Sequence, residues 1–434
     1  MWLIKRLYKS QFVRGSLLIF IVSNVVSFGN FLFNLSMGRL LGPRTYGDLG
    51  AILSFFVFLS VPLSIINLLV TKTVSVYWGK KNYGAILSLF KYFTPRLFLL
   101  GIAVCTILIL TSSSLGGFLC LDNLFPLVLA FLMFVLGGLS TLNKAILQGS
   151  LFFFYLTVSA ITEVVLKLVI AIFLVVINFG LNGAMFGFLA SGIAGYLLTR
   201  VQLGQVFKKA QKKRRFNLSR KLLKASIPII IMSLTLIAFV NTDIILVRHF
   251  FPADISGEYV ALSTMGKIIY YGVGPVISVM FPVISTRVIS GLPYILPLLG
   301  TLVMSLGLSV ILIFAYFLFP RFIVGILFGS KFYGVVPYLG LFSFFIAIYS
   351  LDSILTYYLL SISYYRPVFL LFPIALLQGI LILIFHSSLT EVIWVNIASS
   401  LLYLVIILFF VIKKEYRWFS MNLFRIFPRD IYET

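Results

Sequence analysis

Lys208-Lys209-Ala210-Gln211-Lys212-Lys213-Arg214-Arg215 sets six cations within eight residues near the middle of a 434-residue chain. In a water-soluble protein such a run, with a net charge of +23 from 34 Lys+Arg against 11 Asp+Glu, would point to nucleic acid. Its flanks decide otherwise. On both sides the chain runs through apolar stretches of about twenty residues, the length that crosses ~30 Å of hydrocarbon. The chain is 61% hydrophobic and 10% charged, whereas a soluble domain is about half apolar and about a quarter charged. No segment outside the apolar runs is long enough to fold a nucleic-acid recognition module, so no nucleic-acid partner is expected. The basic run reads as a topology-setting inner loop. Attraction to anionic headgroups is the alternative reading.

Working outward, the periodicity predicts twelve spans, at approximately 15–37, 48–70, 93–113, 124–143, 152–177, 181–203, 226–248, 259–284, 293–319, 335–360, 367–385 and 391–412. The expected fold is all-α and polytopic: two six-helix lobes around a central cavity. The lobes are 1–207 and 226–412, joined by a basic cytoplasmic linker, 208–225, and followed by a cytoplasmic tail, 413–434. The stretch after Lys5, Arg6, Lys9 and Arg14 is too long for a signal-peptide core and lacks a small-residue cleavage site, so it reads as a retained first helix. With the N-terminus in the cytoplasm, inner segments hold twenty-seven Lys/Arg and outer segments five: Arg39, Arg44, Arg248, Arg321 and Lys331. Lys167 and Lys267 fall inside spans. This asymmetry predicts cytoplasmic N- and C-termini.

A weak repeat relates the halves. Arg39-Leu40-Leu41-Gly42-Pro43 with Gly47-Asp48-Leu49-Gly50-Ala51 is echoed by Arg248-His249-Phe250-Phe251-Pro252 with Gly257-Glu258-Tyr259-Val260-Ala261, at offsets of 209 and 210 residues. Pro62 and Pro275 lie at comparable depths. Parallel six-helix repeats with a site between them are a transporter plan.

Several chemistries lack their residues. There is no Gly-x-x-x-x-Gly-Lys-Ser/Thr loop for ATP. Cys105 and Cys120 lack ligand spacing and only two histidines exist, His249 and His386, so no metal is expected. Asp122, Asp254, Glu258 and Glu391 are scattered singly, and no long outer loop exists to hold a catalytic site. A membrane enzyme of polysaccharide assembly is therefore the weaker reading, and the chain is expected not to be an enzyme.

Ionic groups in hydrocarbon are costly and usually face water or a partner. Tyr155, Ser159, Glu163 and Lys167 form a stripe at spacing four, either an ion pair locking the bundle or the wall of a hydrated cavity. Asn24, Ser27, Asn30 and Asn34 mark an inward face of helix 1, as cavity wall or helix packing. Asp243 and Lys267 sit at similar depth on consecutive helices; they either pair to hold a gate or Asp243 carries a proton or Na+. Asp352, among Ser350, Ser353, Thr356 and Tyr357, is either a cation site or a packing cluster. Arg39, Arg44 and Arg248 break the charge asymmetry, for phosphate binding or for snorkelling to headgroups. Asp48 and Glu258 suit the first turns of their helices.

Gly38-Arg39-Leu40-Leu41-Gly42-Pro43-Arg44-Thr45-Tyr46-Gly47 resembles the helix 1–2 junction of polysaccharide-repeat-unit (O-antigen, Wzx-type) flippases. Asn241-Thr242-Asp243-Ile244-Ile245-Leu246-Val247 with Gly257-Glu258-Tyr259 resembles their helix 7–8 region, and Gln148-Gly149 fits as well. These belong to the multidrug/oligosaccharidyl-lipid/polysaccharide exporter superfamily. The resemblance implies alternating access in a bacterial or archaeal inner (plasma) membrane. The substrate it implies is a polyprenyl-pyrophosphate-linked oligosaccharide, moved to the outer leaflet for lipopolysaccharide O-antigen or related polysaccharide biosynthesis. Membrane lipids and polysaccharide assembly proteins are the implied partners. No cofactor is implied beyond a proton or Na+ as coupling ion. The expected substrate-binding residues are Asn30, Asn34, Arg39, Glu163, Lys167, Arg248 and Lys267; Asp243 and Asp352 are expected to couple or gate. The two extra helices common in lipid II flippases find no room here. A cation-coupled drug or metabolite antiporter of the same superfamily is the rival reading, and Glu163, Asp243 and Asp352 would serve it.

Overall fold

Hydrocarbon offers backbone amides no partner, so apolar runs of this length must satisfy themselves as helices. The computed structural model describes residues 11–208, 216 and 220–426, and among these it contains helices and no strand. Lys5, Arg6 and Lys9, the run 209–215 and the tail 427–434 lie outside the described residues.

The first half comprises α1 (Gln11–Gly79), α2 (Tyr83–Leu110), the short α3 (Ser112–Phe118), α4 (Phe125–Gly149), α5 (Phe153–Leu174) and α6 (Gly180–Phe207). The second comprises α7 (Arg220–Phe239), α8 (Thr242–Phe250), α9 (Ala253–Ile289), α10 (Ile295–Leu318), α11 (Pro320–Leu327), α12 (Val336–Ser361), α13 (Arg366–Ile384) and α14 (Leu389–Ile426).

Two stretches are too long for one crossing. The 69 residues of α1 would reach roughly 100 Å if straight, about three times the bilayer core. They break at Gly42, whose φ of 75° belongs to the left-handed region that glycine enters freely; Pro43 follows. Gly29 then faces Val164 midway along α5, while Thr71 bonds the Ala145 carbonyl near the end of α4, so the second arm runs back. Between α5 and α6 the chain reverses at Asn178 (φ 69°) and Gly180 (φ 54°). Ten segments are long and apolar enough to span a membrane. The segments Ile21–Gly79 and Phe153–Phe207 each hold two crossings, so the described residues make twelve, as the periodicity predicts.

The sequence reading differs in two places. The span expected at 226–248 is not continuous: α7 ends at Phe239 and α8 restarts at Thr242. The loop expected around Arg321–Lys331 folds into α11 and a 3-10 turn, Ser330–Val335.

Polarity is inverted relative to a soluble bundle. On α10 the buried positions include Thr301, Ser305 and Ser309, while Val303, Ile311 and Phe314 lie exposed. Lipid accepts the apolar face, and hydroxyls go where helices meet. The main core joins both halves around Met37, Tyr46, Val260 and Phe328. A smaller core, including Val74, Ile146 and Val206, belongs to the first half alone. The end of the bundle at the Gly42 turn is called the junction end below.

Candidate functional site

A cavity of about 370 Å³ opens within the first half, lined by Asn30, Ser140, Lys144, Glu163, Lys167 and Ser191 together with apolar side chains. Spacing four on α5 brings Glu163 and Lys167 to the same wall. They do not pair with each other. Lys144, from α4, meets the Glu163 Oε2 at 2.7 Å, and Gly195 on α6 leaves the room that the carboxylate fills. Glu163 Oε1 is buried without a hydrogen-bond partner. The Lys167 Nζ donates to the Asn30 Oδ1 and lies 4.9 and 4.7 Å from the ring centres of Phe33 and Phe188. Ring faces attract a cation most where water is scarce. With two ammonium groups against one carboxylate, the cavity has positive charge in excess. Asn34 donates back to the Asn30 carbonyl on its own helix and is not among the lining residues.

The two copies of the repeat meet at the junction end. The Gly257 Cα lies so close to the Pro43 carbonyl that a Cβ there would collide with it. Arg248 forms a buried ion pair with Asp48 at 2.6 Å and donates to the Cys120 carbonyl at 2.5 Å. Arg39 donates to the carbonyls of Leu327, at 2.8 Å, and Ile326. Each arginine thus grips a backbone carbonyl of the opposite half. The positions are equivalent: Arg39 and Arg248 are 209 residues apart, Cys120 and Leu327 are 207 apart. Tyr46 meets the Thr264 hydroxyl at 3.2 Å, and His249 stacks on Phe118. Arg44 pairs instead with Asp122 of its own half, in the open. Glu258, the counterpart of Asp48, accepts the Gly334 amide.

In the second half the acids sit in hydrogen-bond networks. Asp243 Oδ2 accepts from the Tyr259 hydroxyl at 2.7 Å and from Asn396 Nδ2 at 3.3 Å. Gln378 Nε2 donates to Asn396 Oδ1 and to the Phe239 carbonyl. Lys267 does not form a salt bridge with Asp243; its Nζ donates to the Val240 carbonyl, three residues earlier, at 2.8 Å. Asp352 Oδ2 accepts from Ser400 at 2.5 Å, its Oδ1 has no partner, and Thr356 meets the Tyr403 hydroxyl.

The expected residues therefore fall into four places. Asn30, Glu163 and Lys167 come together in the cavity; Arg39 and Arg248 flank the junction; Asp243 and Lys267 share the α7–α8 break; Asp352 stands apart. The span expected at 124–143 stops one residue short of Lys144 and so leaves it in an inner loop. Helix α4 continues to Gly149 and carries Lys144 into the wall. Its isolation, as the lone cation of its segment, was the available signal.

The family profile described as "Polysaccharide biosynthesis protein" matches residues 12–287. No curated protein matches the chain in sequence. Among solved structures, the chain is similar to a multidrug resistance MATE family transporter of the MOP superfamily in an inward-facing conformation. That match has a TM-score of 0.71 at 13% identity and covers 86% of this chain and 92% of that one. An outward-facing MATE transporter gives a TM-score of 0.64 at 15% identity, covering 91% and 94%. A MOP superfamily transporter from Pyrococcus furiosus, described as having a binding pocket of reverse polarity that suggests a different function, gives 0.61 at 15%, covering 90% and 94%. At these identities the likeness is one of fold.

Proposed function

Because the chain belongs to the polysaccharide biosynthesis protein family, we propose that it is a flippase for a polyprenyl-pyrophosphate-linked oligosaccharide, moved from the cytoplasmic to the outer leaflet without covalent chemistry. The cavity carries this reading. Its excess positive charge, set in a wall of low dielectric, suits a diphosphate. The amide of Asn30 and the hydroxyls of Ser140 and Ser191 suit sugar hydroxyls. The polyprenyl tail stays in lipid, so only the polar head needs shelter.

The distribution of basic residues supports cytoplasmic termini and an outward junction end. The Asp48–Arg248 pair and the two arginine-to-carbonyl contacts then hold the outer end shut. The inward-facing neighbour supports that assignment. Opening outward frees Arg39 and Arg248, which then face the leaving diphosphate. Asp243 and Asp352 are the groups for gating and for coupling to a proton. Polysaccharide assembly proteins receive the product.

The drug-exporting fold neighbours favour a second reading, a cation-coupled antiporter. The cavity's excess positive charge opposes cationic cargo. The test reconstitutes the full chain in liposomes with a labelled lipid-linked oligosaccharide, and separately with a fluorescent organic cation. Oligosaccharide should reach the opposite leaflet, at least about tenfold more slowly with Lys167→Met, the factor that ~1.4 kcal/mol of lost binding represents. Dye movement driven by an ion gradient, with the oligosaccharide left in place, would replace this reading by the antiporter.

A further inference from the structure

We propose that the break between α7 and α8 is an alkali-cation site whose cation is built into the chain, the Lys267 ammonium. The inference goes beyond the flippase reading and does not depend on it. Residues 236–245, Leu-Ile-Ala-Phe-Val-Asn-Thr-Asp-Ile-Ile, contain neither Gly nor Pro; the local contribution to the stop is Asn241, whose Nδ2 donates to the Ile237 carbonyl at 2.8 Å. Partners from other helices hold the break open. Gln378 Nε2 donates to the Phe239 carbonyl at 3.1 Å, and Lys267 Nζ donates to the Val240 carbonyl at 2.8 Å.

The ammonium bonds the Val240 carbonyl, and further oxygens gather at the same break. The carbonyls of Phe239 and Val240 end α7, where the helix dipole is negative. Asp243 is fully buried, has no salt bridge, and lies within Coulombic reach of Lys267. Its carboxylate is steadied by Tyr259, Asn396 and the Ile244 amide. Gln378, also fully buried, leaves its Oε1 with no hydrogen-bond partner. Carboxylate, backbone carbonyl and amide oxygen are the ligands hard cations take, and interrupted membrane helices are where transporters place them.

Lys267 is half-buried, and a single hydrogen bond to a carbonyl returns less than it costs to take an ammonium out of bulk water. A helix terminus and a buried carboxylate together supply the missing attraction. Lys267 thus does what a bound alkali ion would do, and while it stays there none can enter. Its long unbranched stem makes the ammonium removable without disturbing the oxygens.

The full chain, purified in detergent, is melted in NaCl, KCl and choline chloride at matched ionic strength. Wild type should melt alike in all three. Lys267→Met should gain several degrees in NaCl or KCl over choline, since a ligand that binds only the folded state stabilises it by mass action. Lys267→Met/Asp243→Asn should lose that gain, and ²²Na+ dialysis should detect binding to Lys267→Met but not to wild type or the double variant. Lys267→Gln serves as a second variant. An equal alkali-salt shift in wild type, or folded Lys267→Met and Lys267→Gln indifferent to the salts, would overturn the proposal. Failure of both variants to fold in any salt would also overturn it, while folding only in NaCl or KCl would uphold it.

Discussion

Arg39 and Arg248 hold equivalent places in the two halves, and each reaches across to a backbone carbonyl of the other. Only Arg248 also finds an acid, Asp48, and only Arg248 is buried, at 3% exposure. Arg39 stays exposed, and its counterpart acid Glu258 turns to the Gly334 amide instead. The same pattern, used twice, therefore carries unequal energy. Burial decides the weight of a charge, because removing one member of a sealed pair strands the other without solvent.

That inequality is open to test. The largest effect should come from Arg248→Ala, which leaves Asp48 buried and unpaired, at a cost of about 3–5 kcal/mol. The apparent melting temperature should fall steeply, and Arg248→Met combined with Asp48→Leu should recover most of the loss. Next comes Gly257→Ala, whose methyl collides with the Pro43 carbonyl; overpacking of this kind costs about 1–3 kcal/mol. If the junction end closes against the outer side, a cysteine reagent added outside should label this variant's Cys120 faster than it labels wild type. Arg39→Ala removes hydrogen bonds whose net worth is about 1 kcal/mol each, so it should melt only slightly below wild type while still slowing transport. Arg44→Ala, which breaks an exposed pair, should change stability by no more than about 1 kcal/mol. An Arg39 variant as damaged as the Arg248 variant would refute the unequal weighting.

Twelve crossings were legible because hydropathy is read directly by lipid, and the junction because its glycines and prolines name their own conformations. What escaped was decided between helices. The stripe on α5 put Glu163 and Lys167 on one face and left open whether they pair or line a cavity; in the structure both line the cavity, and a neighbouring helix delivers Lys144 to Glu163. Depth along consecutive helices brought Asp243 and Lys267 to one region, yet the α7–α8 break was invisible. Besides Asn241, which bonds the Ile237 carbonyl, it is held by Gln378 and Lys267 on other helices. Serines such as Ser305 and Ser309 gave no warning of their burial, since a hydroxyl reads alike in a loop and at a helix contact.

The cavity draws its polar walls from α1, α4, α5 and α6, all in one half. A passenger clasped there would travel as luggage fastened to one side of a seesaw, keeping its grip throughout the swing. No hand-over between moving surfaces would be needed until the far side opens, so the slow event would be letting go rather than crossing.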